Sequence, residues 1–155
     1  MFANVLIVCH ANVCRSPAAE MLFKARLAGS AASAARHRGN VPIAFQSAGI
    51  RAFDGDSMDP VMRRLLGEQG VATGSHRARR LNRRIVRDAD LILVTERAQV
   101  KEVESLDPTS RGKVYPLGKW EDSDVVDPHG GHEAGYRESL VLIEHLVMGW
   151  LNKIC

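Results

Sequence analysis

The chain has 155 residues, 45% of them hydrophobic and 25% charged, with a net charge of +3. That is enough for one domain around one core, and the balance excludes disordered and fibrous classes. No apolar run nears the roughly 20 residues of a membrane helix, and the N-terminus lacks the basic start of a signal peptide.

Three cysteines, Cys9, Cys14 and Cys155, make a poor disulfide framework. A reducing cytoplasm is the expected compartment, with no membrane insertion. The positive charge points mildly to anionic partners and does not by itself indicate nucleic acid.

Residues 5–8 (VLIV) are a continuous branched apolar run, which predicts a strand buried on both faces. Ser16 suits an N-cap and Pro17 a first helical position. Ala18, Met21, Leu22, Ala25 and Ala28 then recur at helical spacing. The small, basic stretch 29–40 extends that helix or forms a loop. Residues 41–49 read as a second strand ending at Ser47 or Gly49.

Residues 59–70 predict a short helix from Pro60 to a stop at Gly70. LNRRIVRDA is another short helix, DLILVT a third buried strand, ERAQVKEVESL a helix and KVYPLG a short fourth strand. The C-terminal stretch predicts an amphipathic helix with Leu140, Ile143, Val147, Trp150 and Ile154 as its core stripe. Strands alternating with helices imply a single three-layer α/β domain over 1–155, a four-stranded parallel sheet flanked by helices. There is no internal repeat and no linker.

The stretch VLIVCHANVCRSPAAE puts a thiol at a strand end and an arginine just before a helix. In an open α/β sheet ligands bind beyond the carboxyl ends of the strands. A turn from Cys9 into a helix near Pro17 gathers backbone N–H groups at a positive helix end, a pocket for a tetrahedral oxyanion. The same field lowers a thiol from its usual pKa of about 8.5, so Cys9 reads as a thiolate. Arg15 supplies a planar fork for two phosphate oxygens. The duller alternative is an inert cysteine at a strand end.

The segment VCHANVCRSPAAE resembles the phosphate-binding loop of the low-molecular-weight protein tyrosine phosphatases, bacterial branch. SAG at 47–49, GVATGSHRARRL around His76, ADLILV at 89–94 and DPHG at Asp127 recur in the family's order. The resemblance implies a flavodoxin-like architecture and a phosphatase acting on phosphotyrosine and aryl phosphates. His10, Ala11, Asn12, Val13, Cys14, Arg15 and Ser16 would form the loop, with Cys9 carrying a phosphocysteine and Arg15 binding phosphate.

A carboxylic acid must protonate the leaving oxygen and then activate water. The candidates are Asp122, Asp124 and Asp127; the proline after Asp127 favours an extended presentation and matches the family's Asp-Pro acid. The alternative is a plain Asp-Pro turn. By resemblance Asn12, Ser16, Ser47 and His76 support the loop, and Ser16 helps the sulfur leave. Cys14 would form a reversible disulfide with Cys9 or be a small packing residue. Phe53 would line the pocket mouth or be a core residue, with His129 on the same rim.

Two positions depart from the family. Ala11 stands where glycine is usual, a strain if the backbone there has positive φ. His129 replaces the aromatic residue that usually follows Asp-Pro. Val13 stands where arginine phosphatases carry threonine, which favours the tyrosine reading. The six arginines from Arg77 to Arg87 lack interleaved aromatics, so they read as a solvated face or a dock for an acidic segment rather than a nucleic-acid surface.

The phosphatase chemistry needs no metal or other cofactor, and Cys9, Cys14, His129 and His132 have poor zinc spacing. The partners implied are a phosphotyrosine protein, a bacterial tyrosine kinase of polysaccharide export among the candidates, and inorganic phosphate as product and inhibitor. The rival functions are arsenate reduction, which needs a relay of further thiols, and a catalytically weak phosphate-binding module.

Overall fold

Alternate residues of the first strand, β1 (Asn4–Cys9), feed two separate cores. The computed structural model of the protein describes residues 2–29 and 42–154. After β1 come α1 (Arg15–Ala28), β2 (Ala44–Gly49), α2 (Pro60–Glu68), α3 (Arg83–Asp88), β3 (Leu91–Val94), α4 (Ala98–Leu106), β4 (Val114–Pro116) and α5 (Glu133–Ile154). Val5 and Ile7 pack with Leu22 of α1, Met62 of α2 and Ile143 of α5. Leu6 and Val8 pack with Val86 of α3 and Val103 of α4. Leu91 and Leu93 join the first core and Ile92 and Val94 the second, so the sheet is the middle of three layers.

All strand pairings within the sheet are parallel and the strand order is β2-β1-β3-β4. The chain leaves β1 for one neighbour and later returns on the other side. The carboxyl end of β1 is therefore the topological switch point, where a crevice opens between diverging connections. Cys9 is the last residue of that strand and lies opposite Gly49 of β2.

The predicted strands and helices are all present, with shifted ends. Helix α1 begins at Arg15 rather than Pro17, and Cys14, not Ser16, is its N-cap. The Ser16 hydroxyl is engaged by Asn12 and Cys9 and does not cap the helix. In α5 the stripe widens to Tyr136, Ser139, Leu146 and Leu151, and Ile154 is only half-buried. A 3-10 turn, Pro108–Ser110, was not anticipated; Asp107 caps it by accepting from Thr109.

The choice between helix and loop for 29–40 falls, beyond Gly29, outside the described residues. No helix among the described residues is long and apolar enough to cross a membrane.

Two glycines fix the approaches that shape the crevice. A Cβ on Gly49 would stand 2.8 Å from both the Asn12 nitrogen and the His10 oxygen, so only glycine lets the loop after β1 rest on the end of β2. A Cβ on Gly118 would stand 1.9 Å from the Ser123 carbonyl oxygen, so glycine also permits the tight return that carries the chain toward Asp127.

Candidate active site

The loop from Cys9 to α1 is organised around Asn12, which is fully buried and has φ of 58°. Asparagine tolerates this left-handed geometry better than most residues. The positive φ that would have strained a methyl at Ala11 falls on Asn12, so Ala11 carries no such strain.

The Asn12 amide donates to Cys9 Sγ at 3.3 Å. Its side-chain Nδ2 donates to Ser16 Oγ at 2.8 Å and Ser47 Oγ at 2.9 Å, and its Oδ1 accepts from the Arg79 amide at 3.0 Å. His76 Nε2 lies 2.9 Å from the Asn12 carbonyl. The expected supports Asn12, Ser16, Ser47 and His76 are thus one connected network.

Ser16 Oγ lies 2.9 Å from Cys9 Sγ. Because that oxygen already accepts from Asn12, its own proton is available to the sulfur. Behind it, Ser47 donates to Glu20 at 2.5 Å, and Lys24 donates to the other Glu20 oxygen at 2.6 Å. Glu20 is buried and was not singled out from sequence; its only signal was a carboxylate among small and apolar residues in the second turn of α1.

Arg79 belongs to the same frame rather than to a free basic face. Its Nε donates to the Ser47 carbonyl and its NH2 to Gln46 Oε1. Replacing it would therefore disturb the loop itself, not only a docking surface.

Arg15 is 2% exposed. Its NH1 donates to Glu96 Oε2 at 2.6 Å and to the Val125 carbonyl at 2.8 Å, while NH2 faces Asp127 Oδ2 at 3.8 Å. Glu96 was also missed; an acidic residue just past the carboxyl end of a buried strand was the available clue. The pairing fixes one side of the guanidinium and leaves the NH2 side toward the cavity.

Of the three acid candidates, Asp122 and Asp124 are both bound by Arg97. Asp127 lines a cavity of about 140 Å³ together with Cys9, Asn12, Cys14, Arg15 and His129. The chain reaches it along a stitched path, since the Val125 amide donates to the Thr95 carbonyl at 2.9 Å. Asp127 Oδ1 accepts from the His129 amide at 3.0 Å. Asp56, Ala11 and Val13 complete the wall. His10 is exposed. Phe53 is 73% exposed, which overturns the core alternative, and it lies outside the cavity wall.

Cys9 and Cys14 are both buried free thiols. Burial pushes the Cys14 thiol far up, the carboxylates of Asp59 and Asp127 and the neighbouring Cys9 add to this, and Arg15 opposes it. Cys14 therefore rests as the protonated thiol, the less reactive form.

His129 is held by a residue that sequence reading treated only as a helix start. Asp59 is 3% exposed; its Oδ1 caps α2 by accepting from the Val61 and Met62 amides. Its Oδ2 takes His129 Nδ1 at 2.6 Å and the Tyr136 hydroxyl at 2.7 Å, and its amide donates to the Val13 carbonyl. One residue thereby joins the loop through its amide, and the Asp127 segment and α5 through its carboxylate.

Burial pushes the Asp59 carboxyl upward, and hydrogen bonds from Tyr136, His129, Met62 and Val61 outweigh it, so it sits below its usual value. A depressed carboxylate stabilises the fold above its unfolded pKa, and that contribution is lost as pH falls through the folded value. Asp59→Ala is expected to cost roughly 2–4 kcal/mol near neutrality, from the lost cap and an unpaired tyrosine hydroxyl. The ionic part of that difference should shrink below about pH 4 in urea unfolding curves. A pH-independent difference would show that charge at Asp59 contributes nothing.

Comparison with known proteins bears on the family and the fold. The sequence model of the family described as low molecular weight phosphotyrosine protein phosphatase matches residues 4–155. The chain is 34% identical to the probable low molecular weight protein-tyrosine-phosphatase EpsP of Ralstonia nicotianae, over 99% of this chain and 97% of that one. Among solved structures, the tyrosine phosphatase AmsI of Erwinia amylovora superposes with a TM-score of 0.87 at 30% identity, over 99% of this chain and 93% of that one. The tyrosine phosphatase Wzb of Escherichia coli K30, in complex with sulphate, gives a TM-score of 0.86 at 28% identity over the whole of both chains.

Proposed function

The chain belongs to the low-molecular-weight phosphotyrosine protein phosphatase family, and from that premise we propose that Cys9 takes the phosphoryl group of phosphotyrosine while Asp127 releases the tyrosine. The observation that carries the reading is the meeting of Cys9, Arg15 and Asp127 around one small cavity at the switch point of the sheet. The substrate oxygens are held by loop amides and by the NH2 side of Arg15, whose NH1 side is fixed by Glu96 and Val125.

In the first step the Cys9 thiolate attacks phosphorus. The S–P bond forms as the P–O bond to tyrosine breaks, and the proton of the Asp127 carboxylic acid passes to the departing phenolate oxygen. In the second step the Asp127 carboxylate takes a proton from water, and the water oxygen attacks phosphorus. The S–P bond breaks and inorganic phosphate leaves. The returning thiolate is met by the Ser16 hydroxyl and the Asn12 amide.

The oxyanion is stabilised by donors already in place, so little reorganisation accompanies reaction. No cofactor enters either step. Val13 in the loop supports an aryl rather than a guanidinium phosphate as substrate. By family resemblance the protein substrate is a tyrosine kinase of surface-polysaccharide export.

The test is to quench p-nitrophenyl phosphate turnover in denaturing alkali and map the phosphoryl group by mass spectrometry. The expected result is phosphate on the peptide containing Cys9. Turnover with that peptide unmodified, or phosphate on another residue, would reject the mechanism.

A further inference from the structure

A second, larger hollow lies beside the reaction cavity. It encloses about 410 Å³ and shares Asp127 and His129 with the smaller cavity, so the two open on either side of the same short segment. Its apolar wall is Val126, Pro128 and Leu142, and Val126 is 77% exposed. The mechanism uses none of these three side chains.

Two polar features mark the hollow as more than a greasy crease. Glu138 lines it and has no ion pair among the described residues, while its neighbour Arg137 is committed to Glu133 and Glu68. Ser139 also lines it, is 7% exposed, and has a buried hydroxyl with no hydrogen-bond partner among the described residues. A buried hydroxyl left unpaired is uncommon, and a donor or acceptor seated against it would relieve the cost. Of the other two acidic groups there, Asp124 is already bound by Arg97 and Asp127 belongs to the reaction cavity.

The geometry points to this hollow as a subsite for the polypeptide flanking the phosphotyrosine, taking an apolar side chain against Val126 and Leu142 and a lysine or arginine beside it at Glu138. The inference rests on the active-site reading above. A phosphotyrosine in the small cavity leaves its backbone at the rim, and the next two residues of an extended peptide lie within about 7 Å. The shared Asp127–His129 wall makes the hollow continuous with that rim. The free carboxylate supplies charge complementarity to a base, and the bare aliphatic wall supplies area for an apolar neighbour.

The test compares kcat/KM for phosphotyrosine peptides flanked on either side by Leu-Lys, Leu-Glu or Gly-Ser, with p-nitrophenyl phosphate as reference. Wild type should prefer Leu-Lys over Leu-Glu by about fivefold and over Gly-Ser by about tenfold or more. Glu138→Gln should erase the charge preference and Glu138→Lys reverse it, with p-nitrophenyl phosphate turnover within about twofold throughout.

Equal rates on all peptides, or a preference for Leu-Lys over Leu-Glu that survives Glu138→Lys, would overturn the subsite while leaving the active site intact. A wild-type preference for Leu-Glu would overturn it in favour of the arginine-rich stretch 77–87 as the docking face. Failure of wild type to hydrolyse p-nitrophenyl phosphate would instead overturn the active-site reading on which the subsite rests.

Discussion

Cys9→Ser should slow aryl phosphate turnover by about 10⁴-fold or more while leaving the fold and phosphate affinity close to wild type. The two halves of that expectation come from different parts of the structure. A serine hydroxyl is smaller than a thiol and reaches the same partners, the Ser16 hydroxyl and the Asn12 amide. The loop is braced from behind by Glu20, Ser47, His76 and Arg79, none of which depends on sulfur. Arg15 keeps its contacts with Glu96 and Val125.

The anion site therefore survives, and calorimetric titration with inorganic phosphate should give a similar Kd. What is lost is the nucleophile, because an alcohol ionises far less readily than a thiol, and the groups bonded at that position, the Ser16 hydroxyl and the Asn12 amide, are not bases. Turnover within tenfold of wild type would remove Cys9 from the mechanism. A large loss of phosphate affinity would show instead that sulfur holds the loop together.

The parts of this site that were legible in sequence are those encoded by adjacent residues. The run 5–8 announces a strand buried on both faces, and Cys9 at its end followed by Arg15 and Pro17 announces a strand, an anion loop and a helix. The supports are a different matter. Ser47 meets Glu20 across 27 positions, Glu96 meets Arg15 across 81, and His129 meets Asp59 across 70. No local period or spacing carries those pairings; they exist because the β2-β1-β3-β4 order brings the ends of three strands together.

Two of the three Asp-Pro dipeptides make the limit concrete. Asp59-Pro60 and Asp127-Pro128 are identical as sequence. The first carboxylate is buried as the cap and tie of α2, and the side chain of the second is 46% exposed at the cavity. Burial, which separates their chemistry, is a property of the assembled chain. The misreading of Ser16 as a helix cap has the same origin. Its type and place suit a cap, but Asn12 and Cys9 claim its hydroxyl.

Asp127→Asn should lower phosphotyrosine turnover by about 10²–10³-fold, and the loss should depend on the leaving group. A tyrosine phenol has a pKa near 10 and needs a proton as it departs, whereas p-nitrophenol leaves readily as its anion. Asparagine keeps the shape and still offers an oxygen to the His129 amide, which Asp127 Oδ1 accepts from now. It has no proton to give at the first step and no charge with which to draw one from water at the second.

With p-nitrophenyl phosphate the variant should therefore show a burst of p-nitrophenol followed by slow steady turnover, as phosphoenzyme accumulates. With phosphotyrosine the burst itself should be slow. Asp122→Asn and Asp124→Asn serve as controls. Both side chains are spent on Arg97, so their loss should lower stability without changing the dependence on leaving group. An Asp127→Asn enzyme equally slowed on both substrates, with no burst on either, would place the proton on another group.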